Sequence, residues 1–274
     1  MQHHLYLSDT YLDETTTTPL ATGQAEDGRP WVALTDNIFH PQGGGQPNDT
    51  GTLNGHPVRI RRHADLVLLE PHDTHHQPHT DGQPDTSARC NTNGQHDTDH
   101  PLATGWSDTN DPLGSGGRPE TGDARQSGNG RWAGFPTQGP MIARIDLETR
   151  KLHAALHTAG HLLDAYLGRH GFQHTGNSHF PGQARVDYNI GDHTVDRAAL
   201  TEQLHTHFTH TIAAALKVTT QTHHGLRQVT IEDLDTQNCA GTHVTNLSAL
   251  RDVSIRAIKV KAGLMKVGYT AAHI

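Results

Sequence analysis

Apolar residues come in short clusters along the first seventy positions, then almost vanish, then return with a helical period. Leu5-Tyr6-Leu7 followed by Tyr11-Leu12 predicts a short strand and a turn. Trp31-Val32-Ala33-Leu34 is apolar throughout, as in a strand buried on both faces. Thr52-Leu53 and Val58-Arg59-Ile60 flank Asn54-Gly55, a strong hairpin signal, and Val67-Leu68-Leu69 closes the stretch. Strands at such short intervals predict a small barrel-like sheet.

Helical periodicity begins after Met141-Ile142-Ala143-Arg144-Ile145, itself a predicted strand. Asp146 is a good N-cap and Glu148 suits the positive end of the helix dipole. Leu152, Leu156, Ala159, Leu163 and Tyr166/Leu167 form one stripe, and Gly168 and Gly171 mark the stop. A half-buried strand is expected at Ala184 to Tyr188, a second helix from Asp196 to Leu216, and strands at Val218–Thr222, Val229–Ile231, Val253–Ile255 and Ile258–Val260. Two long helices with several strands predict an α+β fold, a sheet with helices on one face. The expected organisation is an N-terminal β-rich domain at 1–72, a low-complexity flexible insertion at 73–138, and a second folded domain at 139–274.

The insertion is rich in Asp, Thr, Gly, Gln, Pro and His, with too few apolar residues to offset its ordering entropy. It also explains the low hydrophobic content of the whole chain, 32%. The formal net charge of -8 argues against a polyanionic partner, but its distribution does not. Residues 126–274 carry 14 Lys/Arg against 11 Asp/Glu, and Arg251, Arg256, Lys259, Lys261 and Lys266 cluster near the end with Asp252 alone opposing them. Two readings of that run are a solvated strand face and a phosphate-contacting surface. Two cysteines, Cys90 and Cys239, make no disulfide framework, so a reducing compartment, the cytoplasm, is expected. The start of the chain lacks a signal-peptide pattern, and no apolar run is long enough for a transmembrane helix, so no membrane association is expected.

Two stretches carry chemistry. Gly43-Gly44-Gly45, within Phe39 to Gly51, suits neither a helix nor a strand interior and predicts a sharp turn or a close backbone approach. No Gly-Lys-Ser/Thr follows, so it is not a P-loop. His157 and His161 stand one turn apart on the first helix, and Cys239 and His243 repeat the spacing downstream. Together these four offer the donor set and number of a Zn²⁺ site. With 25 histidines in the chain such pairs also arise by chance, as at His72/His76, His96/His100 and His170/His174. Spacing alone therefore leaves a pair of buried, hydrogen-bonded helix histidines as the other reading.

The segments His157-Thr158-Ala159-Gly160-His161-Leu162-Leu163 and Cys239-Ala240-Gly241-Thr242-His243-Val244, taken in order, resemble the editing domain of alanyl-tRNA synthetase. The chain is most similar to AlaX, the free-standing alanyl-tRNA editing proteins. Phe39 to Gly51, Leu5 to Leu12 and Arg144-Ile145-Asp146 fit the same family, and the resemblance covers about 1–70 and 140–274. The chain departs from the family at Ala240, where glycine is usual, at His40, where tyrosine is common, and at Lys266-Val267.

The resemblance implies a C-terminal α/β two-layer editing domain of the type common to threonyl- and alanyl-tRNA synthetases. It implies zinc held by His157, His161, Cys239 and His243, and hydrolysis, without ATP, of the ester in mischarged tRNA(Ala). The substrate would be chiefly Ser-tRNA(Ala), with Gly-tRNA(Ala) as a second. His157, His161 and Gln46 are the expected catalytic residues; Gly43, Gly44, Gly45, Thr175 and Ser178 are the expected substrate contacts. No aminoacylation domain is expected, so the protein would not charge tRNA. A zinc hydrolase of another aminoacyl-tRNA or small ester, and a noncatalytic metal- or RNA-binding module, would use the same ligands and remain open. The amino acid preferred, the role of zinc and the oligomeric state are not fixed by the sequence.

Overall fold

The computed structural model describes residues 1–72 and 132–274. The expected insertion at 73–138 therefore lies mostly outside the described residues. Its last few positions are described, and there Phe135 packs into the core formed by the N-terminal strands.

The N-terminal strands are β1 (His3–His4), β2 (Glu14–Thr17), β3 (Pro19–Gln24), β4 (Pro30–Leu34), β5 (Asp36–Asn37), β6 (Gly51–Leu53), β7 (His56–His63) and β8 (Leu66–Pro71), followed after the insertion by β9 (Met141–Ile145). Seven of them form one antiparallel sheet in the order β2-β9-β6-β7-β8-β4-β3. β1 and β5 pair in parallel beside it. Thr18 alone connects the two edge strands β2 and β3, so the sheet must bend back on itself at that corner. No ladder joins these edges, so the expected barrel-like sheet is a bent, open one. β9, from beyond the insertion, fills the place between β2 and β6.

The Asn54-Gly55 hairpin forms as expected: Leu53 pairs with His56, and both turn residues have positive φ. Leu5–Leu7 is a 3-10 helix and not a strand, closed by the Ser8 and Asp9 amides donating to the Leu5 carbonyl. Three residues with one buried side chain, Tyr6, suit a single tight turn. The threonine-rich β2 and β3 have no apolar alternation to announce them.

The C-terminal part holds α1 (Leu147–Arg169), β10 (Gln173–Ser178), β11 (Arg185–Asn189), α2 (Arg197–Ala213), β12 (Val218–His223), β13 (Leu226–Ile231), β14 (Asp235–Asn238), β15 (Leu250–Lys261) and β16 (Leu264–His273). A four-stranded antiparallel sheet runs β10-β11-β16-β15, and β12, β13 and β14 form a three-stranded one. Where two short strands are expected at 253–260, one long strand, β15, runs through two irregularities in its register with β16. Val186, Tyr188, Met265, Val267, Tyr269 and Ala271 turn inward, and both helices bury their apolar residues in the same core cluster. The fold is thus α+β, with mostly antiparallel sheets and two long helices. No helix among the described residues is long and apolar enough to cross a membrane.

Candidate metal centre

Helix α1 starts where its cap chemistry requires. The Asp146 carboxylate accepts from the Thr149 amide at 3.1 Å and from its hydroxyl at 2.7 Å. His157 and His161 then fall on one buried face of the helix. Cys239 follows β14 directly, and its loop returns His243 to the same place. Ligand atoms of His157, His161, Cys239 and His243 all lie within 4.8 Å of one another. Cys239 Sγ is 3.4 Å from His157 Nε2 and 3.2 Å from His243 Nε2. Residues 82 positions apart thus converge, as expected for ligands of one ion.

Surrounding hydrogen bonds fix the tautomers. Gln46 Oε1 accepts the Thr242 amide at 3.0 Å, which makes that atom the oxygen; its Nε2 donates to Thr242 Oγ1 at 2.9 Å. His157 Nδ1, 2.8 Å from the same oxygen, must then carry a proton, and its Nε2 keeps the lone pair facing Cys239. The Thr158 hydroxyl donates its one proton to the Ala154 carbonyl at 2.8 Å. It therefore accepts from His243 Nδ1 at 3.2 Å, leaving the lone pair of His243 Nε2 directed at Cys239.

Burial keeps the imidazoles neutral. It pushes His161 down to about 4, and depresses His157 and His243 well below the ordinary histidine value, with neighbouring imidazoles acting in the same direction. Burial also raises the Cys239 thiol, against the Gly241 amide that favours the thiolate. A divalent cation would reverse that balance and deprotonate the sulfur. Three neutral imidazoles and one thiol, two of the rings with inward lone pairs already set, fit a borderline-soft metal such as zinc.

The glycine-rich segment supplies Gln46. Gly43 and Gln46 exchange backbone hydrogen bonds at 3.0 and 3.1 Å around Gly44 and Gly45, both with positive φ. That is the conformation a two-residue primed turn needs. A Cβ on Gly45 would lie 2.1 Å from Asn177 Oδ1, so the segment both turns sharply and is closely approached. Gly44 is exposed and Gly43 half-buried. Thr175, at a register shift in β10, is exposed; Ser178, at the end of that strand, is half-buried beside His179.

Several contributors carry no motif. Arg227 Nη1 donates to the Cys239 and Gly241 carbonyls at 2.7 and 2.9 Å, and its Nε to the Leu7 carbonyl at 3.0 Å, shaping the cysteine loop from outside. Thr10 Oγ1 accepts the His243 amide at 3.4 Å. His179 stacks on His157, with centroids 4.3 Å apart and planes 23° apart. Burial pushes His179 down to about 3, so it adds no second cation. His153, on the same helical row, lies outside the four-residue ligand group. Comparison with known proteins finds neither a family model nor a curated protein that matches the chain.

Proposed function

We propose that this chain is a zinc-dependent editing hydrolase that deacylates mischarged tRNA(Ala), chiefly Ser-tRNA(Ala) and also Gly-tRNA(Ala). One observation carries the reading. Gln46 of the glycine-rich segment hydrogen-bonds both His157 of the histidine pair and Thr242 of the cysteine loop. Three of the segments on which the resemblance to AlaX rests thus meet in one network. On the same resemblance, the C-terminal layers are read as the editing domain shared by threonyl- and alanyl-tRNA synthetases, and Leu5 to Leu12 as the start of the longer AlaX forms. The resemblance makes tRNA the proposed partner, and the lack of a disulfide framework makes the cytoplasm the proposed compartment.

In this reading a bound Zn²⁺ would supply Lewis-acid stabilisation of charge developing at the ester carbonyl, which requires one of the four protein donors to be loose or exchanged. His157, His161, Cys239 and His243 hold it, and Gln46 and Thr158 keep two of the rings in the ligating tautomer. Gly43, Gly44 and Gly45 are the glycine contacts to the substrate in this reading, with Gly44 the open position of the turn, and Thr175 and Ser178 line the approach along β10. A pocket that hydrogen-bonds the serine hydroxyl leaves polar groups unpaired when alanine enters, which gives the selectivity editing needs. The exposed Arg251, Lys259, Lys261 and Lys266 on β15 and β16 suit phosphate contacts.

The four-ligand set favours one second reading, because four protein donors fill a tetrahedral shell and are typical of structural zinc. A noncatalytic RNA-binding module would then bind tRNA and hydrolyse nothing. The test compares Ser-tRNA(Ala) with a serine methyl ester as substrates. Hydrolysis of the charged tRNA, weakened by rising salt and lost with chelator, supports editing. Equal turnover of the simple ester points to a generic hydrolase, and tRNA binding without turnover to the module.

A further inference from the structure

We propose that His179 is a positioning residue of the metal centre: its ring, locked by Tyr269, lies on the face of His157 and fixes the plane in which His157 presents Nε2. The role rests on the metal-binding reading above.

The lock follows from proton counting. The Tyr269 hydroxyl has one proton, and the Leu156 carbonyl takes it at 3.0 Å. Its lone pair therefore accepts His179 Nδ1–H at 2.5 Å, which sets the His179 tautomer as well as its orientation. Leu156 directly precedes His157, so the lock is anchored on the helical turn that carries the ligand. From the other side, the His179 amide donates to the Gly45 carbonyl at 2.8 Å. Gly45 is next to Gln46, which holds the edge of the same His157 ring. His157 is thus held at its edge by Gln46 and on its face by His179, and these two holds are joined through one peptide unit.

Two glycines make room for the arrangement. A Cβ at Gly160 would lie 2.5 Å from His179 Cε1 and 2.7 Å from Tyr269 Oη, and one at Gly45 would lie 3.0 Å from His179 Cδ2. A side chain at Gly160 would push the stacked ring off His157, whereas one at Gly45 would meet Asn177 first and only press on the ring. Outer groups that hydrogen-bond a ligating histidine fix its orientation, and their loss typically lowers metal affinity by about 10–100-fold; the stacked ring acts on the same orientation from the face.

The test measures zinc affinity by chelator competition and the d–d spectrum of the Co²⁺-substituted protein, in wild type, His179→Phe, His179→Asn and Tyr269→Phe. His179→Phe keeps a flat ring on His157; His179→Asn keeps a polar group and loses the ring. The expected result is a loss of about 10-fold or more in affinity and shifted Co²⁺ bands for His179→Asn, with His179→Phe keeping near-wild-type affinity through its flat ring while its bands shift as in Tyr269→Phe, because it has lost the same hydrogen bond to Tyr269. Tyr269→Phe, which removes one oxygen from an otherwise unchanged core, should shift the bands with metal stoichiometry retained. If His179→Asn does not fold, Tyr269→Phe decides. Unchanged bands and affinity in Tyr269→Phe, or in a folded His179→Asn, would overturn the positioning role. A wild-type protein that takes up neither metal would overturn the metal reading itself.

Discussion

Arg150 and Asp49 form a fully buried ion pair that ties the first turn of α1 to the end of the glycine-rich segment. Arg150 Nε donates to Asp49 Oδ1 at 2.8 Å, and its Nη atoms also reach the Thr10 and Ile38 carbonyls at 3.1 and 2.7 Å. Asp49 in turn accepts the His40 amide at 2.5 Å, closing the loop that carries Gln46. The register between the histidine helix and the glutamine that orients it therefore depends on this pair.

Breaking one partner leaves the other charge buried without compensation. Arg150→Met should lower unfolding free energy by about 3–5 kcal/mol, measured by urea denaturation of the metal-free protein. A loss below about 1 kcal/mol, the size of an exposed ion pair, would show that the pair is not the fastener described.

Gly241 gives a sharper local test. A Cβ there would lie 2.1 Å from His157 Cε1 and 2.2 Å from its Nδ1, against a ring held on both sides. Gly241→Ala should therefore strip the centre of metal, read by metal analysis after dialysis. Ala240→Gly, one residue earlier, should keep it. Equal metal content in both variants would contradict the packing of the cysteine loop on His157.

Stability should also depend on pH through a histidine that binds no metal. His40 is 1% exposed, and burial depresses it to about 4. Unfolded, it titrates near 6.5, so between these values the unfolded chain binds a proton that the native state does not. Its contribution is complete above about pH 6.5 and is lost as pH falls toward 4, for a total on the order of 3 kcal/mol. His40→Gln should flatten that part of the stability–pH curve; an unchanged slope between pH 6.5 and 4 would refute the assignment.

The parts of the site visible in the sequence are those with a spacing. His157/His161 and Cys239/His243 show because ligands one helical turn or one tight loop apart must recur at fixed intervals, and Gly43-Gly44-Gly45 shows because three glycines have few structural uses. His179, Arg227 and Tyr269 have no such signature. Each is a single residue brought to the site by tertiary packing, and 25 histidines hide the important one. The same limit explains the fold. Helix α1 is legible from its cap and stripe, and the Asn54-Gly55 hairpin from its turn. The place of β9 between β2 and β6 depends on contacts across the whole N-terminal sheet. In the apolar alternation of Met265, Val267, Tyr269 and Ala271, strand β16 was available to a reading by period; β2 and β3 were not.

The most direct measurement is a deacylation time course of Ser-tRNA(Ala) and Ala-tRNA(Ala) with zinc-loaded wild type, the same protein after chelation, and Cys239→Ala beside His153→Ala. The account predicts rapid loss of serine, much slower loss of alanine, and no turnover after chelation or in Cys239→Ala, with His153→Ala retaining both zinc and activity. Equal hydrolysis of the two charged tRNAs, or full activity in metal-free Cys239→Ala, would contradict it.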